Sequence, residues 1–98
     1  MRITVPHKLT KAEVHKRLDE HADELANFIP GGMAEVEKDW IDHEHLALGV
    51  TALGSFVGAD LAIEDKQVVV EVELPMKLKL MKGPIERSIK DNATKLLK

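Results

Sequence analysis

The sequence predicts an α+β fold: an antiparallel β-sheet in the order β-α-β-β-β-β-α, with the C-terminal helix packed on the sheet. Three observations carry this expectation. Segments near both ends, residues 9–29 and 85–97, set apolar side chains at helical spacing. Between them, successive runs alternate apolar and polar residues with period two. The connections between those runs are short, which suits antiparallel neighbours. At 98 residues the chain fits one domain, 1–98, with a modest core.

Each element has its own signal. "RITVP" reads as a first strand with Ile3 and Val5 on one face and Pro6 ending or edging it. Thr10 and Glu13 fit the S/T-x-x-E capping box of a helix, and Leu9 is spaced to staple onto Val14. Val14, Leu18, Ala22, Leu25 and Phe28 or Ile29 form its apolar stripe, while Lys11, Lys16, Arg17, Glu20, Asp23 and Glu24 take the other face. "PGG" at 30–32 ends the helix. "AEVEKDW" alternates, with Ala34, Val36, Lys38 and Trp40 on one side. "HLALGVTAL", "SFVGADLAIE" and "QVVVEVELP" follow as strands, with "EDK" as the turn between the last two. Gly83 and Pro84 open a closing helix whose stripe is Ile85, Ile89, Ala93 and Leu96 or Leu97.

Composition narrows the function classes. Hydrophobic residues make up 44% and charged residues 32%, an ordinary soluble balance. No apolar run approaches the ~18 residues of a membrane-spanning helix, and "MRITVPHKLTK" lacks the apolar core of a signal peptide. With no cysteine, disulfides and thiolate chemistry are excluded, which suits a reducing cytoplasm. The net charge of −3 hides an asymmetry: residues 1–75 carry 7 Lys/Arg and 15 Asp/Glu, residues 76–98 carry 7 and 2. An acidic body argues against broad nucleic-acid binding. Scarce aromatics argue against the stacking platforms of single-strand binders.

The candidate chemistry is thin. In "WIDHEHLALG", His43 and His45 stand two apart, a same-face spacing in a strand, but no third ligand is spaced to complete a metal site. The polar "DHEH" reads instead as a hairpin bend. His15 and His21 are six apart on a helix and miss the i, i+4 ligand pattern, and His7 sits in a loop beside Pro6. No catalytic residue and no cofactor is indicated. Gly49, Gly54 and Gly58 lack any phosphate-loop spacing; they mark curvature, close approach or a cavity wall. Trp40 reads as a core anchor whose indole N–H finds a partner, or as a ligand-lining residue.

The stretch 76–82 is the most unusual. Met76, Leu78 and Leu80 alternate with Lys77 and Lys79, then Met81 and Lys82 follow. It extends the last strand past a Pro75 kink, or forms a loop. It offers a cationic and apolar contact surface, or serves as a lysine-protected sheet edge.

The succession "WIDH", "GADLAIEDKQVVVEVELP" and "IERSI" resembles the small bacterial polyhydroxyalkanoic acid system proteins over nearly the whole chain. That resemblance implies a role near storage-polymer metabolism, without implying a reaction or catalytic residues. The topology also looks like a reduced helix-grip fold, in which a curved sheet wraps a C-terminal helix. The expected function is a non-enzymatic cytoplasmic accessory protein that contacts an apolar ligand or a granule surface. Trp40 and Met76, Lys77, Leu78, Lys79, Leu80, Met81 and Lys82 are the candidate contact residues. Two alternatives stand beside it: a small hydrolase or lyase acting on a hydroxyacyl compound, with a histidine of the 43–45 pair as base, and a homodimeric scaffold paired through a strand edge.

Overall fold

Five alternating segments build the sheet. In the computed structural model, which describes residues 1–25, 34–52 and 54–98, β1 is Arg2–Pro6, β2 Ala34–Asp42, β3 His45–Ala52, β4 Ser55–Ile63 and β5 Gln67–Glu73. Helix α1 is Lys11–Leu25, and α2, Lys82–Leu96, follows directly on a 3₁₀ helix, Met76–Met81. The α+β expectation therefore holds, as does the element order. The "PGG" stop, Phe28, Ile29 and the Leu25 side chain lie outside the described residues.

The strand order is β1-β5-β4-β3-β2, antiparallel throughout. β2 to β5 form the meander that short turns dictate. β1 returns beside β5, where Arg2 stands opposite Glu71, an attractive cross-strand pair. Gly54, at a φ of 72°, makes the β3–β4 turn in a conformation that side chains with a Cβ resist. Gly49 and Gly58 face each other across β3 and β4. A Cβ at Gly49 would meet the Phe56 ring at 2.9 Å, so here a strand glycine marks close approach.

One face of the sheet carries the core. Register aligns Trp40, Leu46, Leu61, Val70 and Ile3 in one row, and Val36, Val50 and Val57 in another. Val14, Leu18 and Ala22 of α1 and Ile85, Ile89, Ala93 and Leu96 of α2 pack onto this face as one cluster. α1 lies toward β2 and β4, while α2 lies over β1 beside α1. Burying stripes of this width is the main source of stability in a chain so small. Among the described residues no helix is long and apolar enough to cross a membrane.

Local polar bonds fix the ends of the elements. Thr10 Oγ1 accepts the Glu13 N–H at 3.1 Å, half of the anticipated capping box. The Glu13 carboxylate turns away to Arg17, at 3.1 Å. His7, 6% exposed, donates through Nε2 to the Glu64 carbonyl at 2.9 Å and accepts the Leu9 N–H at Nδ1, 3.1 Å. Nε2 thus joins the β1–α1 loop to the β4–β5 turn, while Nδ1 closes the loop on itself.

Candidate functional site

The 76–82 segment forms neither a strand nor an irregular loop. Pro75 ends the extended chain, and the Leu78 N–H bonds back to its carbonyl at 2.9 Å. A 3₁₀ helix repeats every three residues, so the period-two lysine pattern is dispersed around it. Leu78 and Met81, three apart, turn inward and pack against the core. Met76 and Leu80 turn outward, 82% and 96% exposed. Lys79 and Lys82 are exposed beside them, and the Lys77 side chain lies outside the described residues. The candidate strip thus divides: Leu78 and Met81 serve packing, while Met76, Lys79, Leu80 and Lys82 make a small apolar and cationic surface.

Trp40 belongs to a different region. It sits on edge strand β2, with β3 and β4 between it and β5. Its indole N–H donates to Asp19 Oδ1 at 2.9 Å, and its ring stacks on His15 with centroids 3.8 Å apart. Lys38 reaches the same carboxylate at 3.1 Å and the Asp19 carbonyl at 2.8 Å. The Trp40 hydrogen bond, then that of Lys38, holds the Asp19 carboxyl below its ordinary pKa. His15 Nδ1–H donates to the His43 carbonyl at 2.8 Å, and Lys11 pairs with Glu44 at 3.2 Å and Asp65 at 3.5 Å. The Glu44 hydrogen bond is the chief cause that raises the Lys11 pKa. Together these contacts tie α1 to the β2–β3 hairpin and, through Asp65, to the β4–β5 turn.

The histidine pair resolves into that hairpin's bend. His43 and Glu44 form the two-residue turn between β2 and β3. Asp42 Oδ1 accepts the Glu44 N–H at 2.8 Å, a side chain imitating a backbone turn. The same carboxylate takes the His45 Nδ1–H at 2.8 and 2.9 Å. That bond lowers the Asp42 pKa, with the Glu44 amide as the second cause. His43 points elsewhere, its ring 6.0 Å from that of His15. Among the described residues, no three His, Asp or Glu side chains are grouped to hold a metal ion.

Sequence reasoning missed the outer face of the sheet. Ile41 and Phe56 stand there 69% and 60% exposed, and Val69 is 5% exposed although it shares that face with Glu71 and Glu73. Ile41, His45, Asp60, Ala62, Val69 and Glu71 border a depression of about 410 Å³. The signal was present in β2, where Ile41 interrupts a face otherwise made of Glu35, Glu37 and Asp39. The apolar stripe of α2, by contrast, is withdrawn from water: Ile85, Ile89, Ala93 and Leu96 are 2–8% exposed.

Comparison with known proteins adds one finding. A family model, that of the polyhydroxyalkanoic acid system proteins, matches residues 1–97. No curated protein and no solved structure matches the chain.

Proposed function

The chain belongs to the polyhydroxyalkanoic acid system proteins, and from that premise we propose that it is a non-enzymatic accessory protein of the storage-polymer system that attaches to granule surfaces through its 3₁₀ helix. One observation carries the reading: Met76 and Leu80 stand 82% and 96% exposed beside two exposed lysines. Leucine and methionine held in water gain by transfer to an apolar surface. Neighbouring lysines add attraction to anionic groups at that surface. The apolar stripe of α2 is already packed away from water, while Met76 and Leu80 are not, which favours this surface contact over an apolar ligand held between sheet and helix. The reading places the protein in the bacterial cytoplasm, at the granule.

The enzymatic alternative has one observation in its favour, the hydrogen bond that orients His45 on Asp42. Both side chains are more than half exposed, 54% and 56%. The imidazole therefore lacks the water-excluded setting that sharpens a general base.

Co-sedimentation with purified polymer granules tests the attachment. The triple variant Lys77→Glu, Lys79→Glu, Lys82→Glu is expected to lose most low-salt binding, and Met76→Ser with Leu80→Ser the part that survives high salt. Sedimentation equal to that of the wild type in both variants, with folding confirmed by circular dichroism, overturns the reading.

A further inference from the structure

The outer face of the sheet is open and acidic. β2 sets Glu35, Glu37 and Asp39 on it, β4 sets Asp60, and β5 sets Glu71 and Glu73. Among the described residues, the strands place one cation there, Arg2. Register brings Asp60 directly opposite Glu71, and both are exposed. Like charges so placed repel and weaken a sheet, and Arg2, opposite Glu71 on its other side, offsets only one of the two carboxylates. They border the same depression that Ile41 and Val69 line, so the face combines apolar floor with anionic rim.

The 3₁₀ helix is the complement of that description. It projects Met76 and Leu80 with Lys79 and Lys82 alongside. Sign of charge and apolar content both match, and the two surfaces lie on one chain. The 3₁₀ helix follows β5 and packs against α2 on the core side of the sheet, so a molecule's own patch does not cover its own outer face.

We propose that a second copy of this chain occupies the outer face, docking its 3₁₀ helix into the depression between Ile41 and Glu71. Lys79 and Lys82 of one copy relieve the Asp60–Glu71 repulsion of the next, while Met76 and Leu80 leave water. Because two different surfaces meet, the contact is heterologous and propagates head to tail into chains or rings. A copy engaged in this way has its apolar and cationic patch covered, so self-assembly competes with any other surface that patch binds. The inference goes beyond the granule reading and stands without it. Granule co-sedimentation decides the one, and the association state of the free protein decides the other.

Sedimentation velocity provides the test. In low salt the wild-type weight-average mass is expected to rise with concentration to more than twice that of the monomer, and to fall back in high salt as the charges are screened. Two variants each remove one surface: Asp60→Lys with Glu71→Lys on the sheet, and Met76→Ser with Leu80→Asp on the 3₁₀ helix. Each alone is expected to stay monomeric. Mixed in equal amounts they are expected to stop at a dimer, since each supplies the surface the other lacks. If the lysine substitutions disturb folding by circular dichroism, Asp60→Asn with Glu71→Gln replaces them, with a several-fold weakening expected. A wild type that is monomeric at all concentrations, a variant that assembles alone as the wild type does, or a mixture without dimer overturns the proposal. Variants that each remain dimers would point to a symmetric pairing through a strand edge and overturn it equally.

Discussion

The two ends of the molecule are fastened by different means. Around the β2–β3 hairpin, α1 is tied down by named polar contacts: Trp40 and Lys38 on Asp19, His15 on the His43 carbonyl, Lys11 on Glu44 and Asp65. At the other end, the 3₁₀ helix holds to the core by Leu78 and Met81 and leaves Met76 and Leu80 in water. A region whose side chains are spent on one another has little left to offer a partner. The region that exposes apolar side chains has. The contrast directs the search for contact chemistry in this chain to the 3₁₀ helix.

The largest expected effect sharpens that contrast. Leu18 is fully buried at the centre of the core, and Leu80 is 96% exposed. Leu18→Ala is expected to cost ~2–5 kcal/mol in urea unfolding, as buried leucine truncations do. Leu80→Ala is expected to change stability by less than about 0.5 kcal/mol. A comparable loss from both would mean that the 3₁₀ helix is part of the folding core and not a free surface.

Arg17 comes next, because it carries the polar fastening from α1 across to α2. Its guanidinium donates to the Leu96 carbonyl at 3.2 Å and also to that of Lys98, while Glu13 holds it from the other side. The C-terminal carbonyls of a helix lack partners within it, so Arg17 acts as their cap. Arg17→Ala is expected to cost roughly 1–3 kcal/mol, and Arg17→Lys to recover part of it. Hydrogen exchange in the last turn of α2 reads out the cap, and unchanged protection there in Arg17→Ala would refute it.

How much of this was legible before folding follows from what each feature depends on. Strands, helix stripes, the Thr10 cap and the bend at "DHEH" rest on residues near in sequence, and periodicity shows them. The 3₁₀ helix was hidden because "MKLKLM" carries the period of a strand. The ladder stops for a local reason: β4 pairs with β5 as far as Gly58 opposite Glu73, and Pro75, two residues on, has no N–H to give it. Trp40 was legible as a residue whose indole finds a partner, yet nothing in its surroundings names Asp19, 21 residues away on a helix. Arg17 had the look of a solvent-facing residue for the same reason, since its acceptors lie at the far end of the chain. The apolar and cationic stretch at 76–82 was legible in composition, while its division into packed and exposed halves depended on the helical geometry.

The smallest expected effect tests the tethered end through its charge. The Asp19 and Asp42 carboxyls are held below the ordinary value of 3.8, the first chiefly by the Trp40 hydrogen bond and the second chiefly by that of His45. A carboxyl whose pKa is depressed on folding binds fewer protons in the native state than in the unfolded one. It therefore contributes stability that is fully present above the unfolded value, and that is lost as pH falls through the depressed folded value. Asp19→Asn removes that contribution. The variant is expected to be slightly less stable than the wild type at neutrality, and the gap is expected to close as pH drops below 3.8, because the wild type then loses what the variant never had. Both groups are exposed to water, so the gap is small and best read from paired urea midpoints across the acid range. Trp40→Phe tests the cause: it keeps the ring stacked on His15 but deletes the donor to Asp19. It is expected to flatten the acid limb as Asp19→Asn does. If Trp40→Phe leaves the limb as steep as in the wild type, the Trp40 hydrogen bond is not what holds Asp19 ionised, and Lys38 must carry that end of the tether.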